Sequence, residues 1–166
     1  MSKNKLTKKQ LSEIQFHDQW GDSADSEMID VYKYFKAETS IDFRLAEKLL
    51  GNLQNKRILD LGCGLGEASV YFALQGAKVT VLDISPKMLE CVNKLAAKYH
   101  VSDAVRVIES PAEKIPCRTK FFDLVFGGNV LHHVNIEKTS KEIKRVLKKG
   151  GKAVFIEPLG YNQIIQ

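Results

Sequence analysis

Arg57-Ile-Leu-Asp-Leu-Gly-Cys-Gly-Leu-Gly66 is a short apolar run that ends in three glycines at every second position. It reads as a strand entering a tight turn, because glycine alone takes the left-handed turn conformations without steric cost. Glu67 to Leu74 then reads as a helix, so the turn joins a strand to a helix. The same alternation continues outward. Lys78 to Leu82 is a second strand, followed by a helix from Pro86 to about Tyr99 that has Ser85 as its cap and proline at its first position. Ala104 to Ile108 and Phe122 to Phe126 are the third and fourth strands, and a basic helix over 136–148 follows. Lys152 to Ile156 is the fifth strand, entered through Gly150-Gly151. Strands alternating with helices indicate a parallel sheet covered on both faces, and right-handed crossovers make it an open, doubly wound α/β fold.

Upstream of this region the chain changes character. Residues 1–12 are polar and Lys-rich and read as a disordered basic tail. Residues 13–42 hold eight acids against Lys33 and Lys36, and Met28, Ile29, Tyr32 and Phe35 recur near helical spacing. Leu45, Ala46, Leu49 and Leu50 continue one apolar face, with Gly51 as a helix stop. The 166 residues amount to one domain. The net charge of +5 comes from residues 1–10, with four Lys and no acid, and from 138–152, with seven basic residues against Glu142. The remainder is mildly acidic, which argues against a uniformly basic nucleic-acid binder. There is no apolar run of the roughly 18 residues that a membrane span needs. Cys63, Cys91 and Cys117 give neither a paired framework nor metal spacing, and read as reduced thiols of a cytoplasmic protein.

In such sheets a ligand sits beyond the carboxyl ends of the strands, at the first strand–turn–helix unit. Here Asp83 ends the second strand 17 residues after Gly66, where an acid can accept from both ribose hydroxyls. The loop reads G-x-G-x-G, with Glu67 where the third small residue of a dinucleotide loop would fall. Asp60 places a carboxylate just before the loop, which repels a pyrophosphate and favours a cationic ligand. Charge therefore points to S-adenosylmethionine over NAD, and the Walker pattern of nucleoside triphosphate sites is absent.

Ile58-Leu-Asp-Leu-Gly-Cys-Gly-Leu-Gly66 together with Val81-Leu-Asp-Ile-Ser-Pro-Lys-Met-Leu89 resembles class I S-adenosylmethionine-dependent methyltransferases of the small-molecule, quinone-biosynthesis-like type. Ser110-Pro-Ala-Glu113, Phe122-Asp-Leu-Val125, Asn129-Val-Leu-His-His-Val134 and Val146-Leu-Lys-Lys-Gly-Gly-Lys152 match later motifs in order, over about residues 44–160. The resemblance implies a Rossmann-like domain over 51–166, with 13–50 a helical segment capping the cofactor site. It implies that Asp60, Gly62, Cys63 and Gly64 surround the methionine part and that Asp83 binds the ribose. Ile84 and Met88 flank the adenine, Ala112 and Glu113 lie at its edge, and Asn129 is near the reacting methyl group. Pro111 stands where the family often has an Asp that accepts from the adenine amino group, which leaves that contact to nearby backbone, Ser110 or Glu113.

His132 and His133 follow the fourth strand on the ligand side and are the candidates for a general base, or else cap the next helix or line the pocket. Neighbouring histidines do not converge on one ion and no carboxylate or Cys stands at chelating spacing, so no metal is expected. Phe16, His17, Trp20, Tyr32 and Tyr34 are substrate-pocket candidates. The family fold has seven strands in the order 3-2-1-4-5-7-6, whereas this sequence ends ten residues past the fifth. The chain thus reads as C-terminally incomplete, with an exposed fifth-strand edge that invites self-association. The expected activity is methyl transfer from S-adenosylmethionine, leaving S-adenosylhomocysteine, to oxygen, carbon or nitrogen of a small molecule. A cofactor-binding or interaction module without turnover is the alternative, and an NAD-dependent oxidoreductase a weaker one.

Overall fold

Strands β1 (Arg57–Leu61), β2 (Lys78–Asp83), β3 (Val105–Glu109), β4 (Phe122–Gly128) and β5 (Leu147–Ile156) lie in the order β3-β2-β1-β4-β5. Every neighbouring pair is parallel. The computed structural model describes residues 6–158, the side chain of Tyr34 excepted. The doubly wound α/β arrangement is therefore the one the alternation of elements required. The order reverses between β1 and β4, which opens a crevice at their carboxyl ends.

Strand periodicity decides which residues face which layer. Ile58, Val79 and Val81 point to one face, where they meet α4 (Glu67–Leu74) and α5 (Pro86–Lys98) in the larger core cluster. Leu59, Leu61, Leu82 and Val125 point to the other, against Ala112, Ile115 and α6 (Ile136–Val146). By the same alternation Asp60 and Asp83 lie on the α4/α5 face, near the ends of adjacent strands. Helix α4 is buried from Ser69 to Ala73 because α2 (Val31–Lys36) packs on its outer side. Phe35 of α2 stacks on Tyr71 with ring centroids 4.0 Å apart. Helix α5 begins as its sequence dictates, with the Met88 amide donating to Ser85 Oγ at 3.1 Å and proline in the first turn.

Boundaries at α1, α6 and β5 differ from the sequence reading. Helix α1 (Lys8–Ser23) starts inside the segment read as a disordered tail over 1–12. Thr7 and Gln10 form a capping box: the Gln10 amide donates to Thr7 Oγ1 at 3.2 Å and the Thr7 amide to Gln10 Oε1 at 2.9 Å. Residues 1–5 lie outside the described residues. Helix α6 ends at Val146, and β5 begins at Leu147, five residues before its expected start. The Gly150-Gly151 pair sits within that strand as an irregularity, across which the β4 pairing steps from Phe122↔Leu147 to Leu124↔Lys152. Helix α3 (Ile41–Leu50) leans on β5, with Lys152 Nζ donating to the Leu49 carbonyl at 3.2 Å.

Among the described residues no helix is long and apolar enough to cross a membrane. Cys63, Cys91 and Cys117 are all free thiols.

Candidate active site

A cleft of about 380 Å³ opens at the carboxyl ends of β1, β2 and β4, within the usual size range of ligand sites. Its floor is the glycine loop. Gly62 has φ +71° and a Cβ there would stand 2.4 Å from Val130 Cγ2, so the backbone is pressed against the β4–α6 segment. Gly64 has φ +52° but open space where its Cβ would be, so it exposes bare backbone to the cleft.

Two carboxylates sit beneath this loop. Asp60 is 1% exposed and accepts a hydrogen bond from Ser69 Oγ of α4. Burial pushes its carboxyl up to about 7 against the pull of Ser69, with Asp83 and Glu67 adding like-charge repulsion. Asp83 is also buried, and both of its oxygens are engaged. Oδ2 accepts from the Cys63 amide at 3.0 Å and Oδ1 from the Ser85 amide at 2.9 Å. Burial nonetheless holds Asp83 above the ordinary carboxylate range. Burial and the neighbouring Asp83 push the Cys63 thiol far up, so it is an inert wall of the cleft.

One face of α1 forms the roof. Gln10, Glu13, Phe16, His17 and Trp20 line the cleft, the i, i+3, i+7 spacing that puts residues on one side of a helix. The helix is tied down along its length. Gln10 Nε2 donates to Glu113 Oε2 at 3.2 Å, and Glu13 Oε2 lies 2.8 Å from His133 Nδ1. Farther along, Ser85 Oγ donates to Asp18 Oδ1 at 2.6 Å, and Gly21 packs against Lys87 of α5.

Of the residues the sequence singled out, Asp60, Gly62, Cys63, Gly64, Asp83, Ile84, Ala112, Glu113 and Asn129 line the cleft. Asn129 takes φ +55°, which turns the chain at the end of β4. Three readings are corrected. Met88 is fully buried among core residues and does not line the cleft, because its place in the first turn of α5 turns its side chain toward the sheet. Tyr32 is half-exposed and packs edge-on against Tyr71, on the far side of α4. The histidine pair divides: His133 lines the cleft, whereas His132 turns out to Glu157, with Nδ1 and Oε2 2.8 Å apart. Glu13, His17 and His133, from segments far apart in the sequence, come together at the edge of the cleft. The Tyr34 side chain lies outside the described residues.

Several functional partners were not singled out. Ser69 holds Asp60, and Glu157 braces the turn after β4 by accepting from the Val130 and Leu131 amides at 2.8 and 2.7 Å. Gln10 and Glu13 were detectable from the capping box and the spacing that follows it. Ser110 Oγ donates to the Lys114 carbonyl at 2.7 Å, and Glu113 Oε1 accepts from the Asn135 amide at 2.9 Å. Both polar groups that flank Pro111 are thus engaged within the protein.

Residues 59–155 match the family model described as a methyltransferase domain. The chain is 34% identical over 131 residues to the sterol 4-C-methyltransferase of Caenorhabditis elegans, covering 78% of this chain and 39% of that protein. It is 37% identical over 116 residues to the demethylmenaquinone methyltransferase of Chlorobaculum tepidum, covering 69% of this chain and 46% of that one. It therefore spans less than half the length of either. The fold is shared with geranyl diphosphate C-methyltransferase from Streptomyces coelicolor, solved with S-adenosyl-L-homocysteine, at a TM-score of 0.71 and 20% identity over 90% of this chain and 64% of that one. With a glycine loop, two buried acids and the matching order of strands, the chain belongs to the methyltransferase-domain family of class I S-adenosylmethionine-dependent proteins.

Proposed function

We propose that this domain binds S-adenosylmethionine in the cleft and transfers its methyl group to a small-molecule acceptor. The observation that carries the reading is the pair of buried acids under an open glycine turn. A buried carboxylate is costly even when hydrogen-bonded, and a cation placed beside it recovers part of that cost. Asp60 fits the ammonium or sulfonium of a methionine moiety, and the exposed backbone at Gly64 leaves room for it. Asp83 fits the ribose hydroxyls, with Ile84 against the adenine and Ala112 at its edge. The cofactor supplies an electrophilic methyl carbon activated by positive sulfur.

What the chain contributes is alignment. Asn129 and His133 border the acceptor end, and Phe16 and Trp20 provide apolar surface on the roof side. Holding two reactants in line supplies much of the acceleration in such a displacement. An acceptor that must lose a proton as it gains the methyl group would give it to His133 Nε2, since Nδ1 faces Glu13. Calorimetry with S-adenosylmethionine, S-adenosylhomocysteine and NAD tests the cofactor, and heat with NAD alone would overturn the assignment. Labelled cofactor incubated with a metabolite extract then tests transfer: label in a small molecule supports turnover, whereas binding without transfer favours a module that binds and does not react.

A further inference from the structure

We infer that Glu13, His17 and His133 form a binding site for a divalent transition-metal ion of the zinc type, pinning α1 across the cleft. Glu13 and His17 are one helical turn apart on α1, the i, i+4 spacing that brings two ligands to one side of a helix. His133 approaches from the β4–α6 segment. Glu13 Oε2 lies 2.8 Å from His133 Nδ1 and 3.7 Å from His17 Nε2. All three ligand atoms fall within 4.8 Å of one another. Metal–ligand bonds of about 2.0–2.2 Å in a tetrahedron place ligand atoms roughly 3.3 Å apart, so small side-chain rotations close the set around an ion.

The donor chemistry is selective. Two imidazoles and one carboxylate suit zinc and its transition-metal neighbours, whereas calcium and magnesium prefer all-oxygen sets. Each of the three side chains is only partly buried, with 21–32% of its surface exposed, so an ion has an entry path. The supports are fixed independently of the ion, through Gln10 to Glu113 at one end of α1 and Asp18 to Ser85 at the other. His132 does not take part, because Glu157 holds it outward. Three protein ligands leave a fourth position open to water.

The site does not depend on the methyltransferase reading, although occupancy would bear on it. An ion on His133 Nδ1 would take up the lone pair of that nitrogen, and the neutral imidazole then carries its proton on Nε2. The loaded protein would then have a closed roof and no imidazole base at that position.

The test is competition for zinc or cobalt against a chromophoric chelator, with the full chain and no cofactor present. One equivalent should bind, and hydrogen exchange of residues 8–23 should slow on loading. His17→Ala and Glu13→Gln should each weaken binding by more than about tenfold, with His132→Ala unchanged. Glu13→Gln keeps the shape and hydrogen-bonding reach of the latch while losing its charge, so a folded protein with lost affinity separates a metal site from a simple ion-pair latch. Equal affinity in wild type and in His17→Ala would overturn the inference. So would thiolate-to-cobalt charge-transfer bands, which would put the ion on the cysteines.

Discussion

The Cys63 backbone amide donates to Asp83 Oδ2 at 3.0 Å, so the acid at the end of β2 also clamps the glycine loop that leaves β1. Removing it should therefore do two things at once. Asp83→Ala is expected to weaken S-adenosylmethionine binding by about 1–3 kcal/mol, the worth of a charged hydrogen-bond acceptor. Asp83→Asn keeps an oxygen for the Cys63 amide and should retain more of the loop's order. Calorimetric affinity for the two variants decides; unchanged affinity in Asp83→Ala would remove the ribose assignment.

Asp60 should make both stability and cofactor binding depend on pH. Its folded value of about 7 lies above the ordinary 3.8, so the folded state holds this proton more tightly than the unfolded chain. The stabilisation is fully present below about pH 4 and is lost as pH rises through 7. The whole loss is about 4 kcal/mol at most. Asp60→Asn should flatten this slope and raise the melting temperature at pH 8. It should also abolish the proton release that accompanies binding of a cationic cofactor near pH 6, read by calorimetry in buffers of different ionisation enthalpy. A cofactor affinity indifferent to Asp60→Asn would show that no cation sits there.

Gly62 and Gly64 share a left-handed backbone but not a neighbourhood. Alanine at Gly62 meets Val130 Cγ2 at 2.4 Å in addition to its strained φ, and should cost about 2–5 kcal/mol of stability. Alanine at Gly64 meets nothing and should cost only about 1–2 kcal/mol. Its larger effect should be on cofactor affinity, because the new methyl projects into the cleft. Denaturant melts and binding isotherms on both variants test the contrast, and equal stability losses would contradict it.

Trp20 is the chain's one tryptophan and lines the cleft. Its fluorescence should change on addition of S-adenosylhomocysteine and should saturate with the calorimetric affinity. Tyr32→Ala should leave that titration unaltered, since Tyr32 packs on Tyr71 instead. A shifted affinity in Tyr32→Ala would restore it as a pocket residue.

Strand β5 lies at one edge of the sheet. Among the described residues no strand pairs with its outer side, and we propose that this edge supports weak association of the chain with itself, as edge strands do. Sedimentation velocity over a wide concentration range should show a dimer growing in, and a monomer throughout would count against pairing at this edge.

The strands and the loop were legible because each rests on local signals. β1 and α4 fall where the apolar run and the glycines place them, and the Ser85–Pro86 cap marks α5 to the residue. Asp60 and Asp83 were legible as well, since a strand end facing a loop is a sequence-local position. What sequence did not yield was which way side chains turn once distant segments meet. His132 and His133 are adjacent, yet the Glu157 carboxylate from beyond β5 draws one outward while Glu13 from α1 holds the other at the cleft. Met88 was misplaced for a related reason, its direction being set by how α5 rolls onto the sheet. The error at residues 8–12 differs in kind. The Thr7–Gln10 box was present in the sequence, and the surrounding lysines obscured it.

Helix α1 forms the roof of the cleft and is anchored to structures on both sides of it. Loosening of α1 would widen the way into the cleft. Residence time should then follow the local opening of α1 and not the depth of the cavity, so that a substitution at Thr7 or Asp18, touching no ligand, quickens exchange while leaving the bound geometry alone.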